Sequence, residues 1–427
     1  MKKVLIISPH FPPSNLAAVH RSRLFAQHLP AFGWDPIILA VDEKYYEEKL
    51  DWDLYKLLPQ NLRIEKVKAL KVTKPRLIGD IGLRAFFHLY KKAKQLIEEE
   101  QIDFLYIPIP SFYVALLGRW LHKSTGVKYG IDYIDPWVHF FAGSDKVFSR
   151  HWFSTKLSAF LEPIAVKHAC LITGVAEGYY KGVIDRNPHL LKQAFFQAMP
   201  YGGEYQDHIK LKNLNLHPYL FQKKANTIQL IYAGAMLPKA YQPLEQIFAS
   251  ISNNKTVFQN VEFHFIGTGK SPNDQNGFNI KPYAEKYGLW ETIVFEYPAR
   301  IPYLDVLIHL DNADGVFILG STEPHYTPSK VYQGVLSGKP IAAVLHKESS
   351  ACEVIRSSNA GMVLDFDGES DTKKIEENFP IFLSNFLSFL SSFNSQNVNQ
   401  KLFSQYSAQT VTKLLAQALN KIGNRNS

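Results

Sequence analysis

The residues best suited to chemistry in this chain are a few lysines and glycines set just beyond apolar runs. Tyr232-Ala233-Gly234-Ala235-Met236-Leu237-Pro238-Lys239 closes one such run with small residues and then a lysine. Phe265-Ile266-Gly267-Thr268-Gly269-Lys270 closes another with two glycines and a lysine. Glycine lets a backbone approach a ligand closely, and lysine offers a point charge for phosphate. A tight strand-to-helix turn uses the same glycines, so each motif alone leaves both readings open. The segment Thr327 to Ile341 is more informative. Ser329 stands near a helix start, Gly338 stops that helix, and Pro340 opens the next apolar run. A phosphate placed over Ser329 and Lys330 would meet hydroxyl, ammonium and free backbone N–H groups together. In the N-terminal half, Asp132-Tyr133-Ile134-Asp135-Pro136-Trp137-Val138-His139 follows an apolar strand. Asp135 or His139 there could orient a substrate hydroxyl, His139 with a side chain type that titrates near neutral pH. An Asp before Pro is also a common turn former, and a lone His is often structural.

Ligands of open α/β sheets bind beyond the carboxyl ends of the strands, so the positioning elements matter as much as the motifs. Lys3 to Ser8 is a continuous apolar run followed by the breaker-rich Pro9 to Asn15, a helical pattern from Ala17 to Pro30, and a second buried strand from Pro36 to Val41. The alternation continues with helices over 82–100, 112–124 and 153–168 between strands at 104–107, 128–132 and 170–174. A second series has strands at 228–233, 261–266, 293–295, 315–319 and 340–344, with helices at 242–252, 282–287, 302–311 and 329–337. The stretch 384–404, rich in Ser, Asn and Phe, reads as terminal helices. Strands alternating with helices predict doubly wound parallel sheets, and the polar stretch 203–226 divides them. The expected organisation is an N-terminal domain, 1–205, a C-terminal domain, 206–400, and a terminal helix, 401–427, packing back on the first domain.

Composition bounds the function. A chain of 427 residues with 46% hydrophobic and 20% charged residues is that of a globular protein with room for two cores. Its two cysteines form neither a disulfide framework nor a metal cluster. The first apolar run is too short for a signal peptide, and no stretch approaches the roughly 18 apolar residues of a membrane span, so a cytoplasmic protein is expected. The net charge is +8, and residues 61–96 carry ten Lys or Arg against only Glu65 and Asp80. Such a patch is either a solvated face or a contact for phosphates, and residues 82–98 add an amphipathic helical pattern to it. No nucleic-acid module accompanies it, which sets nucleic acid aside. A dehydrogenase is excluded by the absence of Gly-x-Gly-x-x-Gly after the first strand.

The string Pro328-Ser329-Lys330-Val331-Tyr332-Gln333-Gly334-Val335-Leu336-Ser337-Gly338-Lys339-Pro340-Ile341 resembles the donor-site segment of retaining GT-B glycosyltransferases of the family-4 type. Other segments resemble that family in the same order: Pro12-Pro13 with Arg21, Pro200-Tyr201-Gly202-Gly203, Tyr232-Ala233-Gly234, Phe265-Ile266-Gly267-Thr268-Gly269 and Asn312-Ala313-Asp314. The resemblance implies a GT-B fold, two Rossmann-like parallel-sheet domains facing a central cleft. It further implies a nucleotide diphosphate-sugar donor held by the C-terminal domain and a cell-envelope glycan or lipid-linked acceptor held by the N-terminal one. Transfer with retention, no cofactor and no metal are expected; Asp51-Trp52-Asp53 lies in an early loop and is not taken as a metal motif. By the same resemblance, Gly234, Lys239, Gly267, Gly269, Arg300, Ser329, Lys330 and Gln333 are donor-binding, Lys270 being an alternative to Arg300. Ser14, Asn15 and Arg21 fall on the acceptor side, and Asp135 and His139 are the catalytic candidates. The family's usual glutamates are replaced by Gln333 and, eight residues earlier, His325, and its arginine after Gly234 by Ala235. A non-catalytic nucleotide-sugar-binding partner in a polysaccharide assembly complex is therefore the alternative. A peripheral association with an anionic membrane face through residues 61–96 is the further expectation.

Overall fold

The computed structural model describes residues 1–73, 78–138, 147–324 and 326–424. The chain forms two compact units, Met1–Tyr201 with Ala408–Ser427, and Gly202–Ser407.

The first unit is built on seven parallel strands: β1 (Lys2–Ile7), β2 (Trp34–Val41), β3 (Arg63–Val67), β4 (Phe104–Ile109), β5 (Lys128–Tyr133), β6 (Leu171–Gly174) and β7 (Phe195–Ala198). Their order is β3-β2-β1-β4-β5-β6-β7, so the direction of sheet growth reverses between β1 and β4. Helices α1 (Ala17–His28), α2 (Ile81–Glu100), α3 (Ala115–Thr125) and α4 (Arg150–Val166) cover the two faces. One core layer joins α2, α3 and the end of α4 to the sheet through Leu89, Leu96, Leu117, Leu121 and Val166. The opposite layer joins α1 to the last helix, Ala408–Asn424, whose Val411, Leu415 and Leu419 lie among Val4, Ile6 and Phe25. Each such side chain contributes roughly 1.5–3 kcal/mol when buried. With Trp34 Nε1 donating to Asn420 Oδ1 at 3.1 Å, they make the last helix an integral layer of the first unit.

The second unit has six parallel strands: β8 (Ile228–Ala233), β9 (Val261–Ile266), β10 (Val294–Tyr297), β11 (Gly315–Leu319), β12 (Ile341–His346) and β13 (Gly361–Phe366). Their order is β10-β9-β8-β11-β12-β13, and the switch point lies between β8 and β11. The Phe-rich stretch near the C-terminus belongs to a long helix, Lys373–Ser392, which sends Phe379 and Phe386 into a core with Phe263, Phe265 and Phe317.

The buried strands are those the apolar runs predict, whereas β3, β7 and β13 carry no such signal. All three are sheet edges, and few of their side chains are buried. A strand covered on one face only, with one free edge, has no need of a continuous apolar run.

Candidate functional site

At the β8/β11 switch point, three loops and one lysine converge within the second unit. β8 ends in Gly234, whose φ of +114° is open to glycine and strained for other residues. β9 ends in Gly267, φ +71°. A methyl at Gly267 would lie 3.7 Å from the Arg300 Cα beyond β10 and 3.9 Å from the Gly234 backbone, so the three loop starts are neighbours. Lys330 opens the short helix Lys330–Leu336 and reaches back over this ground. Its Nζ stands 3.6 Å from the centroid of the Tyr232 ring and 3.5 Å from the Ala235 carbonyl oxygen. A methyl at Gly234 would meet Cε and Nζ of Lys330 at 3.6 Å. Burial, with no carboxylate among the described residues to offset it, pushes the Lys330 ammonium down to about 7. A cation held over an aromatic face without an anion is arranged to receive one.

Lys239 belongs to the same rim. Its carbonyl accepts from the Thr322 N–H beyond β11 at 3.2 Å, and its Nζ lies 3.7 Å from Glu369. Ser329 is half-buried just before the helix, and its hydroxyl makes no capping bond. Gln333, one helical turn after Lys330, has its carboxamide oxygen 2.8 Å from His208 Nε2 of the helix Tyr205–Lys212. Burial lowers His208, so the neutral ring donates Nε2–H to Gln333 Oε1. Gly269 plays a packing part: a methyl there would stand 2.7 Å from the Pro298 carbonyl oxygen and Cβ. Its loop is pinned by Glu296, which accepts from Thr268 Oγ1 at 2.8 Å and from the N–H groups of Asn279, Ile280 and Lys281. Lys270 is exposed on that loop.

In the first unit, the residues named for the acceptor side separate into two groups. Arg21 is fully buried: Nε and Nη2 donate to Asp132 at 2.6 and 3.0 Å, and Nη1 donates to the Pro200 carbonyl at 2.9 Å. Burial alone would lower the guanidinium, but Asp132 outweighs it and raises the group further. Thr173 Oγ1 donates to Asp132 Oδ1 at 2.7 Å and takes a hydrogen bond from Tyr106 at 2.8 Å, which completes a buried polar network beneath the strand ends. Arg21 and Asp132 therefore tie α1 to β5 and do not face solvent. Ser14 is buried and donates to Glu48, while Asn15 is half-buried with Oδ1 2.9 Å from His20 Nε2. Burial works to raise Glu48, but His10, 2.9 Å away, and Ser14 prevail and hold its carboxyl down to about 2. This His10–Glu48 pair at the end of β1 was not foreseen, because Glu48 lies beyond β2 and joins His10 only through the sheet order. Asp135 is exposed on the loop after β5. Phe112, beyond β4, stacks on Trp137 of that loop with ring centroids 6.0 Å apart. His139 and His325 lie outside the described residues.

Among the described residues, no group of three or more His, Cys, Asp or Glu side chains is placed to hold a metal ion, and no helix is long and apolar enough to cross a membrane. Five of the ten basic residues of the stretch 61–96 are ion-paired among the described residues, four of them with acids from outside it. Lys66 pairs with Glu43 at 2.6 Å, Arg84 with Glu47 at 3.1 Å, and Arg63 with Glu100 at 2.8 Å. Within or just beyond the stretch, Lys92 pairs with Glu65 at 3.0 Å and Lys94 with Glu98 at 3.6 Å.

The pair of doubly wound parallel sheets is the GT-B arrangement seen in solved nucleotide-sugar glycosyltransferases. The chain is similar over its whole length to sucrose-phosphate synthase from Thermosynechococcus elongatus, with TM-score 0.67, 11% identity and 100% of each chain covered. It is similar to the trehalose-6-phosphate synthase OtsA with TM-score 0.68 and 11% identity, over 98% of this chain and 99% of that one. The HepE protein of Anabaena, solved with UDP and glucose, matches with TM-score 0.61 and 15% identity, over 99% of this chain and 100% of that one. No protein-family model matches the sequence, and no curated protein matches it.

Proposed function

We propose that this protein transfers a sugar from a nucleotide diphosphate-sugar, held by the second unit, to a cell-envelope glycan or lipid-linked acceptor bound by the first. The observation that carries the donor half is Lys330. Its amine lies over Tyr232, beside the Gly234 turn that adjoins Gly267, with no carboxylate among the described residues to compensate it. A diphosphate set against these turns would restore the charge of Lys330 and take further contacts from Arg300 and Lys239. Charge growing on the departing diphosphate is what such preorganised cations stabilise. Retention is favoured by the family-4 resemblance of the Pro328–Ile341 string, with Asp135 and His139 as the acceptor-side candidates and Ser14 and Asn15 beside them. Neither metal nor cofactor enters this reading. The fold is shared with HepE, a protein solved with UDP and with UDP-glucose, so UDP is the first nucleotide to test.

A second reading has a specific observation behind it. The oxygen of Gln333 is occupied by His208, and a ribose hydroxyl would have to compete for it. A binding partner without turnover would keep the phosphate site and lose this contact. Thermal shift against UDP, GDP, ADP, CMP and their sugar conjugates separates the outcomes. A ligand at 100 times its dissociation constant stabilises by about 2.7 kcal/mol. Stabilisation by one nucleoside diphosphate, lost in Lys330→Ala, with donor hydrolysis or transfer, supports the enzyme. Stabilisation without either activity supports the binding partner, and no stabilisation by any nucleotide sinks both.

A further inference from the structure

Helices α2, α3 and α4 form one outer layer of the first unit, with α3 between the other two. Helix surfaces facing water are normally polar, and this layer is not. Along α4, Phe153, Leu157 and Phe160 recur at helical spacing on the outward side, 55%, 44% and 68% exposed. On α3 and α2, Trp120 is 42% and Phe87 74% exposed. They are joined by aromatic contacts: Phe86 meets Trp120 edge-on at 5.0 Å and Phe87 at 5.8 Å. Five large apolar side chains on three adjacent helices exceed the scattered exposure usual on a soluble surface.

The exposed charges of α3 and α4 are basic, and α2 adds Lys91 beside them. Lys91, Lys123, Lys156 and Lys167 are exposed on or beside these helices. α3 carries no acidic residue. The one acid of α4, Glu162, is buried and taken by Arg186 at 2.8 Å. The acids of α2, Glu98, Glu99 and Glu100, are confined to its last turn. An apolar centre of aromatic side chains within a basic rim is complementary to an anionic bilayer: aromatic groups enter the headgroup boundary and lysines meet the phosphates.

We propose that the outer face of α2, α3 and α4 docks this protein on an anionic lipid surface, with Phe153, Leu157 and Phe160 entering the bilayer boundary. The contact shares Phe87 and Lys91 with residues 61–96 but is centred on α3 and α4. It rests on the acceptor half of the proposed function, a lipid-linked substrate, and not on the donor half. Phe87 lies in the second turn of α2 and Phe153 in the first turn of α4. In a parallel α/β sheet these helix starts sit at the carboxyl edge of the strands, where Asp135 and Ser14 also lie. A lipid anchored beside this face would bring its headgroup to that edge.

Flotation of the full chain with vesicles tests the surface, using phosphatidylcholine alone and phosphatidylcholine with about one-third phosphatidylglycerol. Binding is expected to the anionic vesicles and to fall with salt. It should drop at least tenfold in Phe153→Ser/Phe160→Ser and in Lys123→Glu/Lys156→Glu, while the melting temperature and the shift given by UDP stay those of the parent. Equal binding to both vesicles overturns the charge complementarity. No binding to either overturns the proposal, whatever UDP does. A dimer in light scattering that dissociates in Phe153→Ser/Phe160→Ser also overturns it, assigning the face to a second copy of the chain. A lost UDP response with vesicle binding retained overturns the donor reading alone.

Discussion

With a nucleotide diphosphate bound at Lys330 as proposed, the depressed amine would make affinity depend on pH. Its value near 7 arises from burial against the Tyr232 ring. At pH 6.5 such a group is about three-quarters charged, and at pH 8.5 only about 3%. A bound diphosphate holds the ammonium charged, so binding above pH 7 must take up a proton, about 0.9 per UDP at pH 8. The sign is fixed: affinity is greatest below pH 7 and falls as pH rises towards the value of the liganded amine. Between pH 6.5 and 8.5 the dissociation constant for UDP should rise about 25-fold. Water at the half-buried amine screens part of this, which makes about tenfold the least that is expected. Calorimetric titration in two buffers of different ionisation enthalpy gives both the affinity and the proton count. The phosphate's own last proton leaves near pH 6, below the window. Lys330→Arg keeps its charge throughout and should bind UDP with no slope; Lys330→Met should bind weakly, also with no slope. An unchanged wild-type dissociation constant across the window, or a wild-type slope in Lys330→Arg, refutes the assignment of Lys330 to the diphosphate.

The same displaced value predicts that Lys330→Met stabilises the ligand-free protein. The folded-state value lies below the unfolded 10.5, so the destabilisation is full below pH 7 and vanishes above 10.5. At pH 6.5 a gain of about 1–2 kcal/mol after screening should raise the melting temperature by several degrees, and by nothing near pH 10.5. Arg21→Met leaves Asp132 charged and buried and should cost about 3–5 kcal/mol, seen in urea unfolding. Adding Asp132→Asn should recover part of that loss, and full stability in the single variant would show the pair to be dispensable. Gln333→Glu places a carboxylate against His208 Nε2 and should raise the now-lowered His208 above 6.5. The resulting stability is present below pH 6.5 and lost as pH rises through the new value; an unshifted His208 titration by NMR would contradict this. Gly269→Ala should destabilise by about 1–3 kcal/mol with UDP affinity kept, because its methyl meets the Pro298 carbonyl. Gly234→Ala should weaken UDP binding by straining the φ +114° turn beside Lys330, and equal affinities in the two alanine variants would contradict that division of roles.

The central strands were legible because burial on both faces writes itself as uninterrupted apolar sequence: Val4 to Ile7, Ile37 to Val41 and Ile341 to Leu345 are buried throughout. The edge strands β3, β7 and β13 were not, although the edge strand β10 was. Arg63-Ile64-Glu65-Lys66-Val67 is polar because only part of it faces a core, and β13 begins at Gly361, where a methyl would stand 2.1 Å from the Ile341 carbonyl oxygen. That glycine answers a neighbouring strand 20 residues away, and nothing local announces it. The helical reading over 329–337 is one residue long at each end, since Ser329 and Ser337 are the flanking half-turns of Lys330–Leu336.

Charge was the least legible quantity, and the two places where it matters fail in opposite directions. Residues 61–96 look strongly basic along the chain, yet Glu43, Glu47, Glu98 and Glu100 lie outside that stretch and pair with four of its ten basic residues. Lys330 looks like any lysine at a helix start, yet its partners are a ring, a carbonyl and a glycine turn some 95 residues earlier in the chain. Coulomb energies follow spatial separation and local polarity, and neither is ordered by sequence distance. A motif can therefore nominate Lys330, but only the approach of β8 to the helix after β11 lowers its amine. The same logic separates the two arginine-bearing expectations. Arg21 is held by Asp132 inside the first unit, while the Arg300 backbone lies next to the Gly267 turn.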